Sequence, residues 1–109
     1  MAFDEGLAER VRTRLAGDPG ITEKRMFGGL AFLYEGNLAV CVTGDELLVR
    51  VGPTATETAL SHPGTRLFDM TGRPMRGWIV VSAPALSEDE ALTAWINQGH
   101  TFASTLPPK

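Results

Sequence analysis

From Thr22 onward the chain alternates its side chains with a period of two, and it is cut by turns too closely spaced for any helix to fit between them. Met26, Gly28, Leu30, Phe32 and Tyr34 fall on one face, and Phe27, Gly29, Ala31 and Leu33 on the other. Glu35-Gly36-Asn37 reads as a turn, Leu38 to Val42 as a strand, Thr43-Gly44-Asp45 as a second turn, and Glu46 to Val51 as a further strand. Parallel strands need a crossover of about a dozen residues, so connections this short force neighbouring strands to run antiparallel. The pattern predicts a meander and excludes a doubly wound βαβ architecture.

Helical periodicity flanks the meander. Leu7, Val11 and Leu15 lie four apart, with Asp4 placed to open a helix and Gly17-Asp18-Pro19 to stop it. Thr54-Ala55-Thr56-Glu57 and Ser87-Glu88-Asp89-Glu90 both have capping-box spacing. They predict a short helix to about His62 and a longer one whose stripe is Leu92, Trp95, Ile96, Gly99, Phe102 or Ala103, and Leu106, ended by Pro107-Pro108. Between them lie two extended segments, Thr65 to Met70 and Gly77 to Ser82, parted by Thr71-Gly72-Arg73-Pro74. The predicted order is α-β-β-β-α-β-β-α. It describes a two-layer α+β fold with a five-stranded antiparallel sheet and helices on one face. At 109 residues the chain reads as one domain, 1–109.

Within "KRMFGGLAFL" the pair Gly28-Gly29 admits two readings. A phosphate-cradling loop needs its glycines between a strand and a helix, whereas these lead into more strand-like sequence. The glycines therefore read as structural, either bending one strand or joining two.

Composition limits the function classes. Apolar residues make up 43% and charged residues 21%, as in an ordinary soluble globular protein, and the net charge of -3 disfavours nucleic acid and anionic membranes as partners. The acidic start "MAFDEGLAER" lacks the basic, apolar build of a signal peptide, and no apolar run approaches the roughly 20 residues of a membrane span. A single cysteine fits a reducing compartment, and the expected location is the cytoplasm. No cofactor motif or metal-ligand spacing is present, so no cofactor and no metal are expected.

The chemistry-bearing residues are few. Cys41 sits between Val40 and Val42 and reads as a small buried hydrophobe. His62 and His100 read as surface residues. Arg73-Pro74-Met75-Arg76-Gly77-Trp78 sets two arginine forks and an indole around a proline, a grouping able to grip an anion or a base. Lys24 and Arg25 join it if their strands are neighbours. Lys24, Arg25, Arg73, Arg76 and Trp78 are thus the candidate ligand- or partner-binding residues. The structural alternative is that Trp78 faces inward and the arginines pair with Asp69 or with acids of the helices.

Together, the order of elements, "MFGGLAF", "GNLAVCVTGDELLVRVG" and "TGRPMRGW" resemble the N-terminal domain of the TfoX/Sxy family over nearly the whole chain. The resemblance implies a fold similar to type III secretion chaperones and an association with regulation of natural competence genes. It implies no catalytic residues. Competence regulators of this family usually carry a second, C-terminal domain, and the chain is expected to be a stand-alone N-terminal domain. The leading reading is a non-enzymatic regulatory or protein-interaction module. The runner-up is a small-ligand-binding protein or enzyme that uses Arg73, Arg76 and Trp78 with Cys41, and direct nucleic-acid binding, which a basic stripe on the folded surface would favour, stands third. A protein partner is expected. Self-association through the last helix or an open strand edge stands against a monomer in which that helix simply covers the sheet.

Overall fold

The structure, a computed structural model, describes residues 3–70 and 72–109. Helix α1 (Glu5–Leu15) begins where expected: the Asp4 carboxylate accepts hydrogen bonds from the amides of Gly6 and Leu7 at 2.8 and 3.2 Å, satisfying donors that a helix start leaves free. Strands β1 (Ile21–Met26), β2 (Gly29–Tyr34), β3 (Asn37–Thr43) and β4 (Glu46–Arg50) follow, then α2 (Thr56–Leu60), β5 (Thr65–Met70), β6 (Arg73–Val81) and α3 (Asp89–Ser104). All neighbours pair antiparallel in one sheet of order β1-β2-β3-β4-β6-β5. The α+β class holds, with six strands in place of the expected five.

The sixth strand arises at the glycines. Phe27 (φ 57°) and Gly28 (φ 73°) form a two-residue turn with both residues in the left-handed region, and Met26 pairs directly with Gly29. Such a turn matches the twist of the strands it joins. At Gly29 the constraint is space: a Cβ there would run into the carbonyl of Val42 on β3. "KRMFGGLAFL" is thus a hairpin joining two strands, not the strand-to-helix connection on which a phosphate-cradling loop is built.

Three local expectations are corrected. Arg73 and Pro74, expected in a turn, are the first residues of β6, opposite Met70 and Asp69; a register shift at Leu67/Phe68 absorbs the difference. Pro74 is tolerated close to a strand start, and Thr71 of the same expected turn lies outside the described residues. Neither capping box forms. Pro53 starts a 3-10 turn (Pro53–Ala55), and the Thr56 hydroxyl donates back to the Gly52 carbonyl at 2.9 Å. Ser87 likewise spends its hydroxyl on the Pro84 carbonyl at 3.1 Å, at the end of a second 3-10 turn (Ala83–Leu86). At the second place the turn takes the hydroxyl that the cap needs; at the first, Thr54 falls inside the 3-10 turn and the helix begins only at Thr56, so Thr54 does not stand at the cap position.

The main core lies between the sheet and the helices. Leu7 and Val11 of α1, Phe32 of β2, Val40 and Val42 of β3, Leu47 and Val49 of β4, Ile79 and Val81 of β6, and Leu92 and Ile96 of α3 are buried together. The α3 stripe faces this core: Leu92, Trp95, Ile96, Gly99 and Ala103 are all buried against it. Gly99 permits the approach, since a Cβ would strike the Ala39 carbonyl of β3. The reading in which the last helix covers the sheet accounts for its apolar surface.

Candidate functional site: the uncovered face of the sheet

The opposite face carries a second, smaller apolar cluster. Cross-strand pairing sets Ala31, Cys41, Leu48 and Val80 in one row across β2, β3, β4 and β6, and all are buried. Among the described residues no helix contributes to this cluster. Its cover comes from the β1–β2 turn, where the Phe27 ring meets Phe68 of β5 at 5.6 Å and Trp78 of β6 at 6.4 Å, both edge-on. With strands about 4.8 Å apart, a flat sheet would hold β2 and β5 about 19 Å from each other. The contact therefore requires the sheet to curl until its hairpin tips approach across the concave face. Phe27 adopts a left-handed conformation that disfavours a side chain by about 1–2 kcal/mol, and its packing against two aromatic rings offsets that cost.

Beside this contact lies a half-enclosed cleft of about 420 Å³. Met26, Phe27, Leu33, Leu38 and Trp78 supply its apolar lining, and Lys24, Arg50 and Lys109 its charges. The Arg50 guanidinium lies 4.9 Å from the Trp78 ring centre and 5.5 Å from that of Phe102, a cation–π arrangement that fixes a side chain ordinarily free to move. Lys109 reaches the cleft because the end of the chain is tied to the β2–β3 turn. The Asn37 side-chain amide donates to the Pro107 carbonyl at 2.9 Å, and the Lys109 amide to the Glu35 carbonyl at 2.8 Å. Among the described residues, none of these three cations is within ion-pair distance of a carboxylate, although the chain as a whole is acidic.

The five sequence-predicted residues divide. Lys24 and Trp78 line the cleft together, although β1 and β6 are not neighbours, because the sheet curls. Arg25 points the other way, its guanidinium 5.5 Å from the Phe3 ring, since adjacent residues of a strand face opposite sides. Arg76 pairs with Glu57 of α2 at 2.7 Å, as the structural alternative had it, and Arg73 is exposed at the start of β6. Arg50, Phe27 and Lys109 were missed. Parity with Leu48 could have placed Arg50 on this face; nothing local marks Lys109.

Cys41 lies in the buried row and does not line the cleft. It is fully buried, its Sγ lies 3.7 Å from the Met26 carbonyl, and desolvation pushes its thiol up to about 12. A thiol held protonated is a poor nucleophile, so a thiol reagent at neutral pH should label the native protein at least about 100-fold more slowly than the denatured chain. Stopped-time labelling followed by mass spectrometry checks this; equal rates would put Cys41 at the surface.

His100 is more than a surface residue. Its Nε2 lies 2.8 Å from an Asp18 carboxylate oxygen and its ring packs edge-on against Tyr34 at 4.7 Å, tying α3 to the connection between α1 and β1. Hydrogen bonds from the Gly20 amide and from His100 hold the Asp18 carboxyl below its ordinary range. His62 is exposed, edge-on to Trp95 at 5.5 Å. Among the described residues no group of three or more His, Cys, Asp or Glu side chains is placed to hold a metal ion, and no helix is long and apolar enough to cross a membrane.

Comparison with curated proteins and with solved structures finds no significant match. The likeness to secretion chaperones therefore stays an implication of the family resemblance. The model of one protein family, described as the TfoX N-terminal domain, matches residues 13–103, a span running from within α1 almost to the end of α3 and including the whole sheet. On that match the chain belongs to the TfoX N-terminal domain family.

Proposed function

We propose that the chain is a non-enzymatic regulatory module that acts by recognition, binding a protein partner on the concave face of its sheet, in the control of transcription or competence with which its family is associated. The observation that carries the reading is the cleft itself: an apolar floor, a half-buried indole, and three cations without carboxylate partners among the described residues. Buried aromatic and arginine anchors are what interfaces use most heavily, and leaving three cations unpaired on an acidic protein favours an anionic partner surface. The alternative of an enzyme built on Arg73, Arg76, Trp78 and Cys41 requires those groups in one pocket, and only Trp78 lines this one. Capture from the native cell tests the reading: wild type should retain a partner that Trp78→Ala and Lys24→Glu both lose while still folded. Equal retention by all three proteins would remove the cleft from the interface.

A further inference from the structure

We infer that the cleft receives an extended acidic peptide segment of the partner, with an apolar side chain seated between two carboxylates; the inference rests on the recognition reading and specifies its occupant. The spacing of the cations carries it. Lys24 stands on β1 and Arg50 on β4, three strand intervals apart, or about 14 Å on a flat sheet and less on this curled one. One carboxylate engages one of them. In an extended chain, residues two to four apart are separated by about 7–14 Å, a span comparable to the strand intervals between β1 and β4.

What lies between the cations agrees. Leu33 of β2 and Leu38 of β3 occupy the intervening strands, and Met26 and Trp78 wall them. The site thus reads cation, apolar, cation, and its complement reads acid, apolar, acid. The Arg50 guanidinium, already stacked on Trp78 and Phe102, presents its donors to a carboxylate with little further ordering. Lys24, exposed on the edge strand, and Lys109 supply longer-range attraction that raises the association rate. A polyanion such as nucleic acid meets the same cations, but its length carries it across a surface whose net charge is -3.

Fluorescence anisotropy on the whole chain tests this with a short labelled peptide alternating glutamate and phenylalanine. The lysine-for-glutamate peptide and 2-naphthoate serve as comparators. The acidic peptide should bind at least about tenfold more tightly than the basic one and weaken as salt is added. Its affinity should fall by about tenfold or more in the Lys24→Glu, Lys109→Glu double variant, whose exposed positions leave melting unchanged, and again in Trp78→Ala. Equal binding of the two peptides, indifference to charge reversal, or displacement by 2-naphthoate at a concentration comparable to the peptide would each overturn the inference. If the peptide fails while partner capture still depends on Trp78, the occupant is wrong and the recognition reading survives. If neither depends on Trp78, both fall.

Discussion

Replacing Gly29 with valine should destabilise the domain by more than about 4 kcal/mol and lower its melting temperature by about 20 °C or more. The reason is positional. Gly29 opens β2 directly beside β3, and its missing Cβ leaves the space that the Val42 carbonyl fills. A side chain there meets backbone, which cannot swing aside as a flexible side chain can, so the β2–β3 ladder has to part. Gly28, one residue earlier, has open space around it and only a φ of 73° to satisfy. Gly28→Ala should therefore cost about 1–2 kcal/mol, the ordinary penalty of a left-handed residue. Thermal melts of the two variants separate the mechanisms. Unchanged melting in Gly29→Val would mean that β2 and β3 do not approach as described.

Phe32→Ala should cost about 3–5 kcal/mol, a large part of the roughly 5–15 kcal/mol that holds a typical domain together. Phe32 is among the largest fully buried side chains. It projects from the middle of β2, opposite Val40, into the space shared with α1 and α3. Truncation removes its transfer energy and leaves a cavity bounded by a sheet and helices that cannot collapse far. Urea unfolding should show a lower midpoint with an unchanged slope. A loss under 1 kcal/mol would place the ring outside the core.

These two residues show how much of the fold is legible in sequence. The period of two and the short turns make the meander visible, and parity groups Phe32 with Leu30 on one face, but both faces are apolar and only the packing of the helices shows which is the core. The tight turn before Gly29 is harder to see. Its first residue is Phe27, held at φ 57° by contacts with Phe68 and Trp78 that lie some 40 to 50 residues away in sequence, where a hairpin signal would ordinarily be Asn-Gly. The capping boxes misled for a local reason: one proline-initiated 3-10 turn holds Thr54 before α2 begins at Thr56, and another takes the hydroxyl of Ser87.

The site was legible in part. Lys24 and Trp78 stand out by residue type, and the pleat already separates Lys24 from Arg25. Their meeting depends on the curl of the sheet and on β4 pairing with β6, neither of which is written in any local stretch. Arg50 enters the cleft through its pairing with Trp78, and Lys109 through two hydrogen bonds between the chain end and the β2–β3 turn. Residues so placed by tertiary contacts escape a reading built on spacing.

The proposed partner surface is the concave face of the sheet. Photocrosslinking in the native cell measures that most directly, with a benzophenone side chain placed singly at Lys24, at the mouth of the cleft, or at Arg14, exposed on α1. A discrete crosslinked protein is expected from position 24, absent from position 14 and lost when Trp78→Ala is added. Crosslinks of equal yield from both positions, or a position-24 product indifferent to Trp78, would contradict it.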